Sequence, residues 1–225
     1  MLLRVRSITY LAARINGYEL VDPDGQDLPP FTAGAHISVR LSEGIVRDFS
    51  LWNDPAERTR YCIAVLREGS GSQHLHEQVR VGALVAGSMP PNNFPLAAGA
   101  ERHLLIAGGI GITPIMAMIA ELRSRRAEFH LHYCTRSPDE TAFLDDLAVL
   151  AALGRAQFHH DGGDPEKGLD IAATLRECQP GTHLYCCGPA GMMAAAATAS
   201  AHWPVGTVHF EFFAGANAVV PLMPE

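Results

Sequence analysis

Up to about Met89, apolar and polar positions alternate in short runs broken by turn residues, the period-two signature of strands. The runs cover residues 5–16, 18–21, 36–41, 45–51, 61–66 and 83–89, and the first two fold about an Asn16-Gly17 turn. Six short antiparallel strands close most simply into a small barrel, because closure leaves no unpaired edge. One helix interrupts them at residues 73–79, opened by Gly69-Ser70-Gly71-Ser72.

The Pro/Asn-rich stretch Pro90-Pro91-Asn92-Asn93-Phe94-Pro95 ends this rhythm. Beyond it, apolar runs alternate with helical spacing: strands at residues 103–107, 129–134, 156–160, 183–187 and 207–210, and helices at 115–125, 142–150, 171–177 and 191–200. Strand followed by helix, repeated, predicts a parallel sheet covered on both faces. The expected fold is therefore two domains: an N-terminal six-stranded antiparallel β-barrel over residues 1–98 and a C-terminal α/β parallel sheet over 99–213. Residues 214–225 form a tail.

Composition narrows the function. With 17 Lys+Arg against 24 Asp+Glu, the formal charge is −7, which argues against nucleic acid as a partner because phosphate binding needs a basic surface. Apolar runs fall short of the roughly 18 residues a membrane span needs, and the start lacks a signal-peptide pattern, so a cytoplasmic location and no membrane partner are expected. The five cysteines, Cys62, Cys134, Cys178, Cys186 and Cys187, contain no C-x-x-C pair, and neither a zinc site nor a C-x4-C-x2-C iron–sulfur pattern is present.

Four segments carry chemistry. Gly108-Gly109-Ile110-Gly111-Ile112-Thr113-Pro114 follows a buried-type strand and opens a helix. Glycines there let the backbone approach a pyrophosphate, and the helix start offers free N–H groups, although a ligand-free turn has the same form. Cys187-Gly188-Pro189 closes a later strand and would face the first loop across the sheet's carboxyl end; Cys186 reads as a small apolar filler. Arg47-Asp48-Phe49-Ser50 places Arg47 and Phe49 on one strand face and Ser50 on the other, and taken alone also suits an ordinary edge strand. Gly71-Ser72 is either an anion site at a helix start or a plain Ser cap.

In this order, R-x-[YF]-S, a Gly/Ser turn before a lone helix, G-G-I-G-I-T-P, C-G-P and a closing F-E-x-F, the segments resemble the ferredoxin–NADP reductase superfamily. Within it the chain is similar to the phthalate dioxygenase reductase and vanillate demethylase reductase group, over residues 1 to about 215. The resemblance implies a flavoprotein oxidoreductase that takes hydride from NADH onto FMN and passes single electrons to an iron–sulfur carrier serving an aromatic-ring oxygenase or O-demethylase. It places Arg47, Gly71 and Ser72 at the FMN phosphate, Ser50 near flavin N5, Ile63, Ala64 and Val65 along the pyrimidine edge, and Phe49 and Phe213 on the ring faces. It assigns Gly109, Ile110, Gly111, Thr113, Pro114, Cys187, Gly188 and Pro189 to the nicotinamide dinucleotide. Ser50, Cys187 and Phe213 become the residues nearest the hydride transfer, and no metal ligands are implied in this chain.

Two departures stand out. Phe49 replaces the usual Tyr, which removes a hydroxyl and keeps the ring. The group also continues into a ferredoxin domain with a two-iron, two-sulfur cluster, and Gly215-Ala216-Asn217-Ala218-Val219-Val220-Pro221 resembles the linker to it. The partner implied is therefore that domain, a separate ferredoxin or an oxygenase component. Thr135, Arg136 and Asp161 are expected beside the adenosine, and Arg136 keeps NADPH open as donor. His130 and His132 share a strand face without a third ligand, which favours packing over a metal site. The alternatives are a reductase that releases reduced flavin and a non-enzymatic OB-like module, the latter opposed by the acidic charge and 7% aromatic content.

Overall fold

The computed structural model describes residues 1–41 and 44–213. The expectation of a linker-like tail over residues 214–225 lies outside the described residues. Six antiparallel strands come first: β1 (Leu2–Ala12), β2 (Ile15–Val21), β3 (His36–Arg40), β4 (Val46–Ser50), β5 (Tyr61–Leu66) and β6 (Leu84–Gly87), in the spatial order β4-β3-β6-β1-β2-β5. The two ends of that order come back together where the Trp52 N–H donates to the Cys62 carbonyl at 3.0 Å. Inward residues Leu3, Val5, Tyr18, Leu20, Ile37, Val39, Tyr61 and Ile63 form its core.

Helix α1 (Gly69–Gln78) caps this core with Leu75, helped by Val79 just past its end. His76 ties it down: Nε2 donates to the Val65 carbonyl at 2.9 Å, which leaves Nδ1 to accept from the Asn16 amide at 3.2 Å.

The first turn is not where the Asn-Gly signal put it. β1 and β2 pair with Ala12 opposite Ile15, and Arg14 takes the turn at φ 64°. Asn16 and Gly17 lie inside β2, where a Cβ on Gly17 would stand 3.1 Å from Leu11 Cδ1. Packing of Leu11 over that glycine overrides the local turn preference.

The second half is a five-stranded parallel sheet in the order β11-β10-β7-β8-β9, built from β7 (Arg102–Gly108), β8 (Glu128–Thr135), β9 (Ala156–His160), β10 (Thr182–Cys187) and β11 (Val208–Glu211). Helices α2 (Ile112–Ser124) and α3 (Leu144–Ala152) pack on one face through Ile115, Met118, Ile119, Leu122, Leu147 and Leu150. α4 (Ile171–Thr174) and α5 (Ala190–Ala199), followed by Trp203, cover the other. α2 starts earlier than its hydrophobic spacing predicts because Thr113 and Pro114 fit its first turn, where the proline's missing N–H costs nothing.

One core crosses both halves. Ala12, Ile15, Ala33, Ala64 and Phe94 belong to the same buried cluster as α2, α3 and one face of the parallel sheet. Trp52 packs on Phe143 with ring centroids 4.9 Å apart, and the Ala97 N–H donates to the Tyr185 hydroxyl at 2.8 Å. Among the described residues no helix is long and apolar enough to cross a membrane.

Candidate active site

β4 and β5 are the ends of the barrel sheet, and β5 lies beside the Gly109–Gly111 turn of the parallel-sheet half. Ile37 opposes Phe49 and Val39 opposes Arg47, so both side chains lie on the face that carries the barrel core. Phe49 is half-buried against that core, and the exposed Arg47 reaches the start of α1. A Cβ at Gly71 would sit 3.0 Å from Arg47 Nε and 3.1 Å from its Cγ. Glycine there leaves the guanidinium room to lie along the first turn, where free N–H groups and the positive end of the helix dipole add to its charge. This donor set fits a phosphate monoester. Ser72 plays a different part from a direct ligand: its hydroxyl donates to the Glu68 carbonyl and accepts from the Glu68 N–H at 2.7 Å, fixing the turn.

On β5, Cys62 directs its carbonyl to Trp52 and takes the Asn53 Oδ1 on its N–H at 2.9 Å. Strand alternation puts the backbone of Ala64 on the same edge, between Ile63 and Val65.

The loop after β7 and the loop after β10 press together at the carboxyl end of the parallel sheet. A Cβ on Gly111 would fall 2.2 Å from the Cys187 carbonyl oxygen, so no other residue permits this approach. Gly109 closes the turn at φ 51°, with its carbonyl accepting from the Tyr133 hydroxyl at 3.1 Å. Thr113 is buried and its hydroxyl donates to the Ile110 carbonyl at 3.0 Å. Gly188 and the exposed Pro189 border the same crevice.

Cys187 closes β10 as expected, but its side chain does not open onto the crevice. It is fully buried in the shared core, and burial, with Glu211 and Cys186 adding to it, pushes its thiol well above the usual range. Phe213 is half-buried against the same core. At the end of β8, the Thr135 hydroxyl is taken up inside the loop by Thr141 Oγ1 at 2.7 Å and His160 Nδ1 at 2.9 Å. Arg136 is exposed, and Asp161 turns the chain by accepting the Gly163 N–H at 2.7 Å.

The residue that sequence reasoning passed over is Glu211, the acid of the F-E-x-F segment. It stands opposite Cys187 in register, and the Ser50 hydroxyl donates to its Oε2 at 3.4 Å across 161 residues of chain. Burial raises its carboxyl to about 7, against a smaller downward pull from Ser50. The signal was in the motif; the neighbouring aromatics drew attention away from it.

His130 and His132 gain a neighbour, since His132 Nδ1 lies 3.0 Å from His159 Nε2. Among the described residues no group of three His, Cys, Asp or Glu is arranged to hold a metal.

Comparison with known proteins follows this geometry. Residues 88–207 match the family described as dimethylamine monooxygenase subunit DmmA-like, N-terminal domain. The chain is 52% identical to the tert-butanol monooxygenase / tert-amyl alcohol desaturase reductase subunit of Aquincola tertiaricarbonis, over 99% of this chain and 66% of that protein. It is 44% identical to the vanillate O-demethylase oxidoreductase of Pseudomonas sp. (strain HR199 / DSM 7063), over 96% and 69%. The solved structure of phthalate dioxygenase reductase, a modular structure for electron transfer from pyridine nucleotides to 2Fe-2S, superposes with a TM-score of 0.92 at 41% identity, covering 97% of this chain and 69% of that one. The chain thus spans about two thirds of the length of the curated relatives it matches. With both the barrel and the parallel sheet covered by one superposition, and relatives more than 40% identical over nearly the whole chain, the chain belongs to the family of oxygenase reductase components that includes phthalate dioxygenase reductase and vanillate O-demethylase oxidoreductase.

Proposed function

We propose that this chain is an NADH-dependent FMN oxidoreductase that supplies single electrons to an iron–sulfur carrier of an aromatic-ring oxygenase or O-demethylase. The observation that carries the reading is the Ser50–Glu211 contact, which joins the strand that carries Arg47 to the carboxyl end of the nucleotide-type sheet. Flavin, when bound, supplies two-electron acceptance from NADH and one-electron release. The rest falls to this chain's own residues.

Arg47, the N–H groups near Gly71 and the turn fixed by Ser72 hold the FMN phosphate, and a single cradle of this kind suits FMN. Phe49 offers a ring face, and Ala64, flanked by Ile63 and Val65, offers strand-edge backbone to the pyrimidine side. Gly109, Ile110, Gly111, Thr113 and Pro114, with Gly188 and Pro189, shape the crevice for the NADH pyrophosphate. Cys187 supports that crevice from beneath through its backbone. Phe213 covers the place where nicotinamide enters. Arg136, with Thr135 and Asp161 shaping the loop, lies at the adenosine end; its exposed guanidinium leaves NADPH a second donor. Ser50 and Glu211 hold a proton at the ring-nitrogen side, while the shared core keeps the two halves at fixed distance, so that positioning does the catalytic work.

The relatives are named for tert-butanol, vanillate and phthalate systems, and in this reading the choice of carbon substrate belongs to the oxygenase. A ferredoxin domain, a separate ferredoxin or an oxygenase component is the acceptor in this reading, and the cytoplasm, where NADH is supplied, is the location. Purified protein should hold one flavin and show flavin bands that NADH bleaches without oxygen. A chain that instead turns over added free flavin with a KM, holding none, would be a flavin-releasing reductase.

A further inference from the structure

A second opening lies on the seam between the halves. Trp52, two residues past Ser50, forms one wall, and Met116, Ile119 and Ala120 of α2 form the other, around a cleft of about 170 Å³. Met116 is about one helical turn beyond Ile112 and Arg123 about two turns further, so the cleft runs along α2 away from the glycine loops. Its polar rim is mostly committed. Asn53 accepts the Cys62 N–H on Oδ1 and donates Nδ2 to the Arg60 carbonyl at 3.2 Å. Arg60 grips Glu57 with two donors and reaches Glu19 with a third at 3.0 Å. Asp54 Oδ1 accepts the Ala56 N–H at 2.9 Å and holds its loop. Two donors are left over. The Trp52 indole N–H is buried and has no acceptor among the described residues. The exposed Arg123 guanidinium has no partner among them either, while Arg125 and Glu121 on the same helix pair with each other. A buried donor without an acceptor costs stability that an incoming acceptor restores.

We propose that this cleft binds a small carboxylate with a flat apolar body, at a site separate from the flavin and dinucleotide crevice. The body lies against Trp52, Met116 and Ile119, where loss of apolar surface to water holds it. The carboxylate takes one bond from the Arg123 fork and one from the Trp52 N–H, both charge-assisted. Arg60 and Glu57 neutralise each other, so Arg123 and Asp54 are the charges that face the ligand. Both groups without a partner are donors, which makes the ligand an acceptor; Asp54 weakens its binding without reversing the sign. Occupancy ties α2, which begins at the glycine loop, to the loop that follows Ser50, so the ligand braces the two halves at the seam.

The test is an NMR titration of the purified protein with benzoate, read at the indole N–H signals of its two tryptophans, with the Trp52 signal assigned by its loss in Trp52→Phe. Benzoate moves the Trp52 signal downfield to saturation and raises the midpoint of thermal unfolding, as a ligand of the folded state does. Arg123→Gln weakens benzoate roughly 10–100-fold, the scale of a lost charge-assisted contact. Ala120→Phe fills the cleft and abolishes binding with the Arg123 charge in place, and Asp54→Asn strengthens binding. Because Arg123 is exposed, its variant keeps the test open if Ala120→Phe does not fold. A Trp52 signal unmoved by benzoate, or moved equally in Arg123→Gln, overturns the site. A signal that follows benzylammonium instead overturns the charge assigned to the ligand, and acetate binding as well as benzoate overturns the flat apolar body. No arm uses NADH, so the outcome is independent of the redox reading above.

Discussion

Glu211 sets the electrostatics of the interface because it is a carboxylic acid with one hydroxyl partner in a mostly apolar setting. Its value in the fold is raised from 4.5 to about 7. The sign follows: below 4.5 the folded chain gains its full advantage from holding the proton, and this advantage is lost as pH rises through about 7. The loss amounts to about 3 kcal/mol, taking 1.36 kcal/mol per unit. Chemical denaturation from pH 4 to 8 should show wild-type stability falling relative to Glu211→Gln over that window. Parallel curves for the two proteins would show that the carboxyl is solvated. Arg47 makes the complementary prediction. Arg47→Ala should weaken FMN binding roughly 10–100-fold, the scale of a lost charge-assisted contact, read by flavin fluorescence on titration; unchanged affinity would place the phosphate elsewhere.

Among the elements, the two crevice loops are the least tolerant of change. Gly111→Ala would drive a methyl group into the Cys187 carbonyl, costing about 1–3 kcal/mol of stability and raising the KM for NADH with FMN content retained; normal kinetics would show that the loops separate without penalty. Phe213→Ala should slow flavin reduction by NADH or relax selection against NADPH, which stopped-flow absorbance reads directly. Much of this level was legible in the chain. β5 and β9 coincide with the apolar runs at 61–66 and 156–160 because both are short and bounded by turn residues. The β1–β2 turn was not legible: Arg14 adopts a left-handed conformation that nothing in its type announces, while Asn16-Gly17 advertises a turn it does not make. The site shows the same division. Arg47 and the glycine loops are local motifs, whereas the burial of Cys187 and the pairing of Glu211 with Ser50 depend on contacts made 161 residues apart.

At the scale of the molecule, the shared core decides what the site can do. Hydride transfer tolerates little play between donor and acceptor, and Phe94, Trp52 and Ala64 seat the barrel half against the parallel-sheet half in one apolar core, with polar contacts such as Ala97–Tyr185 added to it. Thermal unfolding should therefore be one cooperative transition by both near- and far-ultraviolet circular dichroism; two well-separated transitions would show halves that fold and move independently. The central claim, that these halves hold FMN and NADH face to face, is tested most directly by anaerobic titration of the purified protein with NADH while its visible spectrum is recorded. The account predicts flavin bands that bleach with about one equivalent of NADH, the stoichiometry of a single two-electron cofactor. A colourless protein that neither retains FMN nor oxidises NADH would contradict it.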